Sequence, residues 1–250
     1  MDIITAIEKR ISCRAFEQRP LEDGVFEKLE QELKAINDES GFNFQLYGPD
    51  ANGHVITMNK QMFANDPACY AALVGTKDPI AEEKLGYYGE RFVLFATELG
   101  LGTCWVASTY DKKTTRVELV EGEVLHDVVP IGYPPAKMPL KQRTIRKTIR
   151  AKGKRPEKLF EGPMPLAEAP DWIQACIDGV EKAPSAVNEQ PAVFTWEGDG
   201  SPIIAKIVRV KTRMEYQDLG IAKYHFEVVA RECGVNGNWE WGDGGAFVIE

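Results

Sequence analysis

Apolar residues recur at helical spacing in two stretches, Tyr88, Phe92, Phe95 and Leu99, and again Ala222, Phe226, Val229 and Cys233. Each stretch predicts a buried helix, and each meets a glycine, Gly100 or Gly234, suited to a left-handed cap. The stretches are related. Residues 84–105 (KLGYYGERFVLFATELGLGTCW) align without gaps, at a constant offset of 134, with residues 218–239 (DLGIAKYHFEVVARECGVNGNW), and seven of 22 positions are identical, including the terminal Gly and Trp. Upstream, a helix over Leu21–Ile36 leads to the strand FNFQLYG, and a helix over Asp171–Lys182 leads to the strand AVFTWEG, so the order repeats. Strand-like runs HVITM, DVVPIGY, IIAKIVRV and AFVIE are not regularly separated by helices. This pattern predicts an α+β fold in two lobes, with helices packed on mainly antiparallel sheets.

Composition fits such a core. The chain has 250 residues, 44% hydrophobic and 27% charged, which excludes disordered, collagen-like and membrane-spanning classes. The start MDIITAIEKRIS lacks a long apolar run, and no eighteen apolar residues follow one another, so neither export nor membrane insertion is expected. Five cysteines (13, 69, 104, 176, 233) form no C-x-x-C pair and no His/Cys cluster, pointing to a reducing cytoplasm and no metal site. The net charge of -8 argues against a nucleic-acid partner. It is unevenly distributed. Between Lys137 and Lys158 ten basic residues (Lys137, Lys141, Arg143, Arg146, Lys147, Arg150, Lys152, Lys154, Arg155, Lys158) face Glu157 alone. Prolines bracket this segment and Ile145, Ile149, Leu159 and Phe160 interrupt it, so it reads as an arm crossing between lobes. The expected organisation is a first half over 1–135, a basic connecting arm over 136–165 and a shorter second half over 166–250.

Three segments could carry chemistry. In KRISCRAF, Arg10, Ser12 and Arg14 alternate, and two guanidinium groups flanking a hydroxyl make a phosphate clamp. A solvated basic turn at a helix end is the competing reading. In EKAPSAVNEQPAVF, Pro184 stops a helix and Ser185, Asn188 and Gln190 offer polar groups to the edge of a heterocycle, or serve capping and turn chemistry. In ELGLGTCWVAS, small residues let backbone N–H groups approach a ligand. Gly100 and Gly102 follow a helix instead of a strand, and the spacing fails, so a dinucleotide fingerprint is rejected. Cys104 has no base or cation nearby in sequence and reads as structural. The basic segment is either a solvated surface, open to acidic polymers, or a phosphate-binding element.

KRISCRAFEQRPL resembles the R-R-S-x-R-x-F opening of the FMN-dependent nitroreductases. APSAVNEQPAVF is similar to that family's A-P-S-x-x-N-x-Q-P-W segment, and GERFVLFATELGLGTCWVAS with VVPIGYPPAK to its core helix and G-Y-P strand. Two positions depart from the pattern, Ile11 for the second arginine and Ala192 for the tryptophan. Family members are homodimers in which one subunit supplies the arginine motif and the other the P-S-x-x-N segment. Here the motifs lie about 170 residues apart in one chain, which resembles the internally duplicated TM nitroreductase subgroup. The resemblance implies a nitroreductase-like fold of two pseudo-twofold-related halves. It implies FMN held by Arg10, Ser12 and Arg14 at the phosphate and ribityl chain, and Gly102 and Thr103 as backbone donors. Pro184, Ser185, Ala186, Asn188 and Gln190 would line the ring, with Lys154 and Arg155 as further phosphate ligands. It implies hydride transfer from NADH or NADPH to a small planar acceptor such as a nitroaromatic or quinone, with the flavin and no protein side chain carrying the chemistry. A flavin-binding regulatory protein without efficient turnover is the alternative. One chain would replace a dimer, so a monomer is expected, with higher assembly left open.

Overall fold

The computed structural model describes residues 1–151 and 153–250, so Lys152 of the basic segment, and the side chain of Arg150, lie outside the described residues. The chain divides into two compact units, one of residues 1–77 and 91–148, the other of residues 78–90 and 149–250. Residues 78–90 belong to the second unit, and the later boundary, between residues 148 and 149, falls within the segment 136–165 expected as a connecting arm.

The first unit opens with α1 (Ile3–Lys9), whose N-cap Asp2 accepts the Thr5 N–H at 2.8 Å. Helix α2 (Val25–Ser40) starts four residues later than its apolar pattern suggests. Gly24, at φ 77°, sets the start, and Gly41, also at 77°, closes the helix through an N–H bond to the Asn37 carbonyl. Its buried Leu29, Leu33 and Ile36 face the sheet side as a single stripe. Strands β1 (Gln45–Tyr47), β2 (Cys69–Gly75), β3 (Gly102–Thr103) and β4 (Val124–Gly132) form an antiparallel sheet in the order β1-β2-β4-β3. Strand β2 is buried along its whole length and so shows no alternation of polar and apolar positions, which hid it from the pattern reading. HVITM does the reverse. Its Val55, Ile56 and Met58 are buried, yet only Met58 makes a bridge, to Tyr110. Side chains take two of its backbone donors: the Met58 N–H goes to the Asp66 carboxylate at 2.8 Å and the Thr57 N–H to the Thr114 hydroxyl at 3.1 Å.

Helix α3 (Pro79–Glu98) passes from the second unit, through residue 90, into the first. Helix α4 (Leu140–Arg150) occupies the basic segment expected as an arm. Beyond it, in the second unit, β5 (Phe160–Glu161) joins a sheet with β6 (Ala192–Thr195), β7 (Ile203–Ile207), β8 (Gly237–Trp239) and β9 (Ala246–Ile249), in the order β5-β6-β7-β9-β8. Only β5 and β6 run parallel. Helix α5 (Asp171–Glu181) packs against α6 (Glu215–Glu232), and α6 packs on this sheet, where Phe226 stacks on Phe194 at 5.1 Å and meets Trp239 edge-on at 5.4 Å. Trp239, the last residue of the repeated stretch, donates its indole N–H to the Lys223 carbonyl at 3.0 Å.

The first part of α3 crosses α6 at glycines. A Cβ on Gly86 would lie 2.0 Å from the Gln217 carbonyl oxygen, and one on Gly220 would lie 1.8 Å from that of Glu83, so the backbones touch at both points. Near this crossing the fully buried Lys223 ammonium meets the Glu83 carboxylate at 2.5 Å, with the Glu240 and Gly242 carbonyls at 2.9 and 3.2 Å. The runs α2-β1-β2-α3-β3-β4 and α5-β6-β7-α6-β8-β9 share the order helix, two strands, helix, two strands, with one sheet ordered β1-β2-β4-β3 and the other, beyond its added β5, β6-β7-β9-β8.

Candidate functional site

In the first unit, Arg10 closes α1 by donating its N–H to the Ala6 carbonyl at 2.8 Å, and the chain then leaves the helix in an extended run. That run lies beside β3. Ser12 forms a parallel bridge with Thr103, and the Cys13 N–H donates to the Thr103 carbonyl at 2.7 Å. Alternation along an extended backbone puts Arg10, Ser12 and Arg14 on one face. The bridge sets Thr103 beside Ser12. Farther along, the Arg14 carbonyl accepts the Ala64 N–H at 2.8 Å, and Asn65 holds both backbone groups of Phe16 at 2.7 and 2.8 Å. Four residues named from two distant motifs, Arg10, Ser12, Arg14 and Thr103, thus come together with Gly102.

Gly102 is needed where it stands. A Cβ there would lie 2.7 Å from the Cys13 sulfur, so the cysteine occupies the space a side chain would take. The Thr103 hydroxyl is buried and has no hydrogen-bond partner among the described residues. A buried hydroxyl left unpaired costs about 1–3 kcal/mol, so it marks a place where a ligand group can complete the set. Cys104 lies beside this group without being one of its members. Burial pushes its thiol up, while Arg14, Arg10 and the Ser12 hydroxyl each pull it back down. The cations absent from its sequence neighbourhood are supplied by a segment some ninety residues away.

In the second unit, the segment after α5 folds into a tight turn. Ser185 is extended, residues Ala186–Asn188 make one 3-10 turn, and Val187, Asn188 and Gln190 adopt φ of 47°, 60° and 45°. Non-glycine residues in the left-handed region are strained, and three within four positions need a strong hold. Asp218, in the first turn of α6, provides one: its carboxylate accepts the Ala186 N–H at 2.9 and 3.2 Å. The Ser185 hydroxyl accepts the Gln190 N–H at 2.9 Å. The Gln190 side chain accepts the Lys154 N–H at 2.5 Å and donates to the Glu181 carbonyl at 2.8 Å. Ser185 and Gln190 therefore spend polar groups on the turn itself. Asn188 spends only a 3.5 Å contact from its amide to the Ile149 carbonyl, which leaves it the polar side chain of the turn most open to a ligand.

Lys154 and Arg155 fall in this second unit, and the backbone of Lys154 is tied to the turn through Gln190. Burial, helped by Arg209 and opposed by Glu189, holds the Lys154 ammonium below the usual lysine range. Pro184, Ser185 and Gln190 also line a narrow apolar crevice with Leu159, Asp218 and Ala222, whose ≈ 10 Å³ admit about one water molecule. Asp218 escaped the sequence reading because an acid in a helix's first turn is unremarkable, and its partner lies 32 residues away. Among the described residues no group of three His, Cys, Asp or Glu is placed to hold a metal, and no described helix is long and apolar enough to cross a membrane.

The fold has solved counterparts. A putative nitroreductase from Thermotoga maritima matches over 100% of this chain and 93% of its own, at 22% identity and a TM-score of 0.67. A nitroreductase family protein from Clostridium difficile matches over 59% of this chain and 92% of its own, at 20% identity and a TM-score of 0.42. A nitroreductase with bound FMN from Bacteroides fragilis matches over 56% and 92%, at 17% identity and a TM-score of 0.39. No curated protein matches the chain. The first of these shares the fold over the full length of this chain, and a model of the family described as "Putative TM nitroreductase" matches residues 2–230. The chain belongs to that nitroreductase family.

Proposed function

We propose that this chain is an FMN-dependent oxidoreductase that takes hydride from NADH or NADPH and passes it to a small planar acceptor such as a nitroaromatic or a quinone. One observation carries the reading: Arg10, Ser12 and Arg14 share a face with Thr103, whose buried hydroxyl lacks a partner among the described residues. Two guanidinium groups and two hydroxyls suit a phosphate monoester and the hydroxylated chain attached to it. When bound, FMN would supply the hydride chemistry. The chain's own residues would hold and orient it. Arg10 and Arg14 would bind the phosphate dianion, Ser12 and Thr103 the adjoining oxygens, and Gly102 would keep the backbone open to close approach. As the family resemblance implies, Asn188, with Pro184, Ser185 and Ala186 framing it, would meet the polar ring edge. Gln190 would act by positioning that turn, and Lys154 and Arg155 would add positive charge. No protein acid or base is assigned, and solvent would deliver the proton.

We further propose that the chain is an internal duplication. The reading is supported by the common element order of the two units and by matched helix ends: Gly100 at φ 82° and Gly234 at φ 81°. The N–H following each, of Leu101 and of Val235, returns to Ala96 and Ala230 at 3.0 and 2.9 Å. The reciprocal contacts of Gly86 with Gln217 and of Gly220 with Glu83 obey the same offset of 134, since 83 maps to 217 and 86 to 220.

The test is the purified chain itself. It should bind FMN well and riboflavin poorly, and the bound flavin should bleach anaerobically on addition of NADH or NADPH. A chain that retains no added FMN would overturn the proposal.

A further inference from the structure

Cys13 and Cys104 stand between the residues of the proposed phosphate face and have no part in it. Ser12 and Thr103 are partners in a parallel bridge, and the Cys13 N–H donates to Thr103, so Cys13 and Cys104 take the next positions across the same pairing. Neighbours across a parallel pair lie within the Cα separation a disulfide spans, about 4.4–6.8 Å. Both are free thiols in one buried cluster with Phe16, Tyr70 and Val106. The Cys13 sulfur lies over Gly102, where the missing side chain leaves it room, and points to the side of β3 that also carries Cys104.

We propose that Cys104 and Cys13 are a thiol pair that a peroxide converts to a disulfide, tying the segment of Arg10, Ser12 and Arg14 to the strand of Gly102 and Thr103. The roles follow from the surroundings. Burial raises both thiols, Cys13 to about 11. Arg14, Arg10 and the Ser12 hydroxyl all favour the Cys104 thiolate, whereas Arg14 is the one cation favouring that of Cys13, which is raised further by Cys104; the Cys13 thiol also donates to the Ala15 carbonyl at 3.0 Å, closer than the 3.5 Å from the Cys104 thiol to the Trp105 carbonyl. Cys104 is then the attacking sulfur. Its thiolate attacks one peroxide oxygen, the O–O bond breaks, and the leaving oxygen departs as water or an alcohol after taking a proton. The Cys104 sulfenic acid so formed is attacked by Cys13, the S–O bond breaks, and water leaves with the Cys13 proton. Two thiols are oxidised and one peroxide is reduced, with no other reactant. Because the pair sits inside the cluster, oxidation requires opening of a short bridge instead of a stretch of sheet. A low-molecular-weight thiol would restore the reduced state, as expected of a transient disulfide in a reducing compartment.

The readout does not depend on bound flavin, so its outcome is separate from that of the proposed function. The full chain is treated with hydrogen peroxide, alkylated and digested without reduction, and its peptides are weighed. The expected result is a linked peptide pair containing Cys13 and Cys104, lighter by two hydrogens than the reduced peptides, which dithiothreitol reverses. Cys13→Ser should lose the link and leave a sulfenic acid that dimedone traps at Cys104, whereas Cys104→Ser should lose both link and adduct. Full alkylation of both cysteines after peroxide would overturn the proposal, as would a dimedone adduct on Cys13 in the Cys104→Ser chain. Circular dichroism of each variant separates these outcomes from failure to fold.

Discussion

Replacing Asp218 by Ala should loosen the turn of residues 185–190 without touching a ligand. The turn holds Val187, Asn188 and Gln190 at positive φ, a backbone cost of roughly 1–2 kcal/mol for each. Asp218 opposes that cost through the bond its carboxylate accepts from Ala186, and a hydrogen bond to a charged group contributes about 1.5–3 kcal/mol. The Ala186 N–H is only partly buried, so water replaces some of the loss, and Asp218→Ala should cost about 2 kcal/mol. Asp218→Asn keeps an acceptor oxygen without the charge and should cost about half as much. Urea denaturation followed by tryptophan fluorescence measures both, with FMN titration on the same samples. Adding Val187→Gly should return about 0.5–1 kcal/mol to the Asp218→Ala chain, because glycine takes φ 47° without strain and Val187 is exposed. An unchanged denaturation midpoint and FMN affinity in Asp218→Ala would show that the turn holds itself and that the strain argument is wrong.

Four other outcomes are expected. Arg14→Ala should weaken FMN by about 30-fold or more, from loss of a charge-assisted contact of roughly 2–3 kcal/mol, and riboflavin binding should hardly change; equilibrium fluorescence titration reads both. Lys154→Gln with Arg155→Gln should weaken FMN more than Lys137→Gln with Lys141→Gln, although each pair removes the same charge; equal losses in that titration would mean the segment acts only through its general field. Glu83→Ala should lower stability by about 3–5 kcal/mol, since the buried Lys223 ammonium loses its counterion, and Lys223→Met in the same chain should recover much of it in urea melts. Flavin absorbance against protein concentration should give one FMN per chain, because Arg10–Ser12–Arg14 and the P-S-A-V-N run each occur once.

What the sequence displays and what it conceals divide along physical lines. Helices α3 and α6 are legible because apolar residues recur at 3.6 residues and a left-handed glycine follows each, although α6 is buried on nearly every side. The alternation of Arg10, Ser12 and Arg14 is legible as one face of an extended run, and the structure adds Thr103 to it through a single bridge. Strand β2 is concealed because an uninterrupted buried run has no period, and HVITM misleads because side-chain acceptors replaced strand pairing there. The sharing of α3 between units is not written in its period at all. It follows from Gly86 and Gly220, whose missing Cβ atoms bring two backbones together across 134 positions. Asp218 and the cations beside Cys104 were out of reach for the same reason, as each acts on a group far away in the chain.

The duplicated reading explains why chemistry should reside at one copy of the glycine turn and not the other. Both copies close their helix in the same way, at Gly100 and Gly234, and diverge just beyond. At the offset of 134, Gly237 stands in the place of Thr103, so the buried hydroxyl has no counterpart. In the first unit β3 has β4 on one side and the bridge to Ser12 on the other. In the second, β8 is the end strand of its sheet, paired with β9. The open polar hollow beside it is lined by Glu227, Arg231, Asn236, Asn238 and Glu250. Arg231 is already paired with Glu227 at 3.1 Å, and Asn238 donates to the Glu250 carboxylate at 2.7 Å. A phosphate dianion entering that hollow would meet a second carboxylate and no second cation, and would lose its hydration without an equivalent replacement. On the proposed duplication, the two copies share the helix ends that close α3 and α6, and the groups suited to a phosphate stand only where the chain after α1 runs beside the turn.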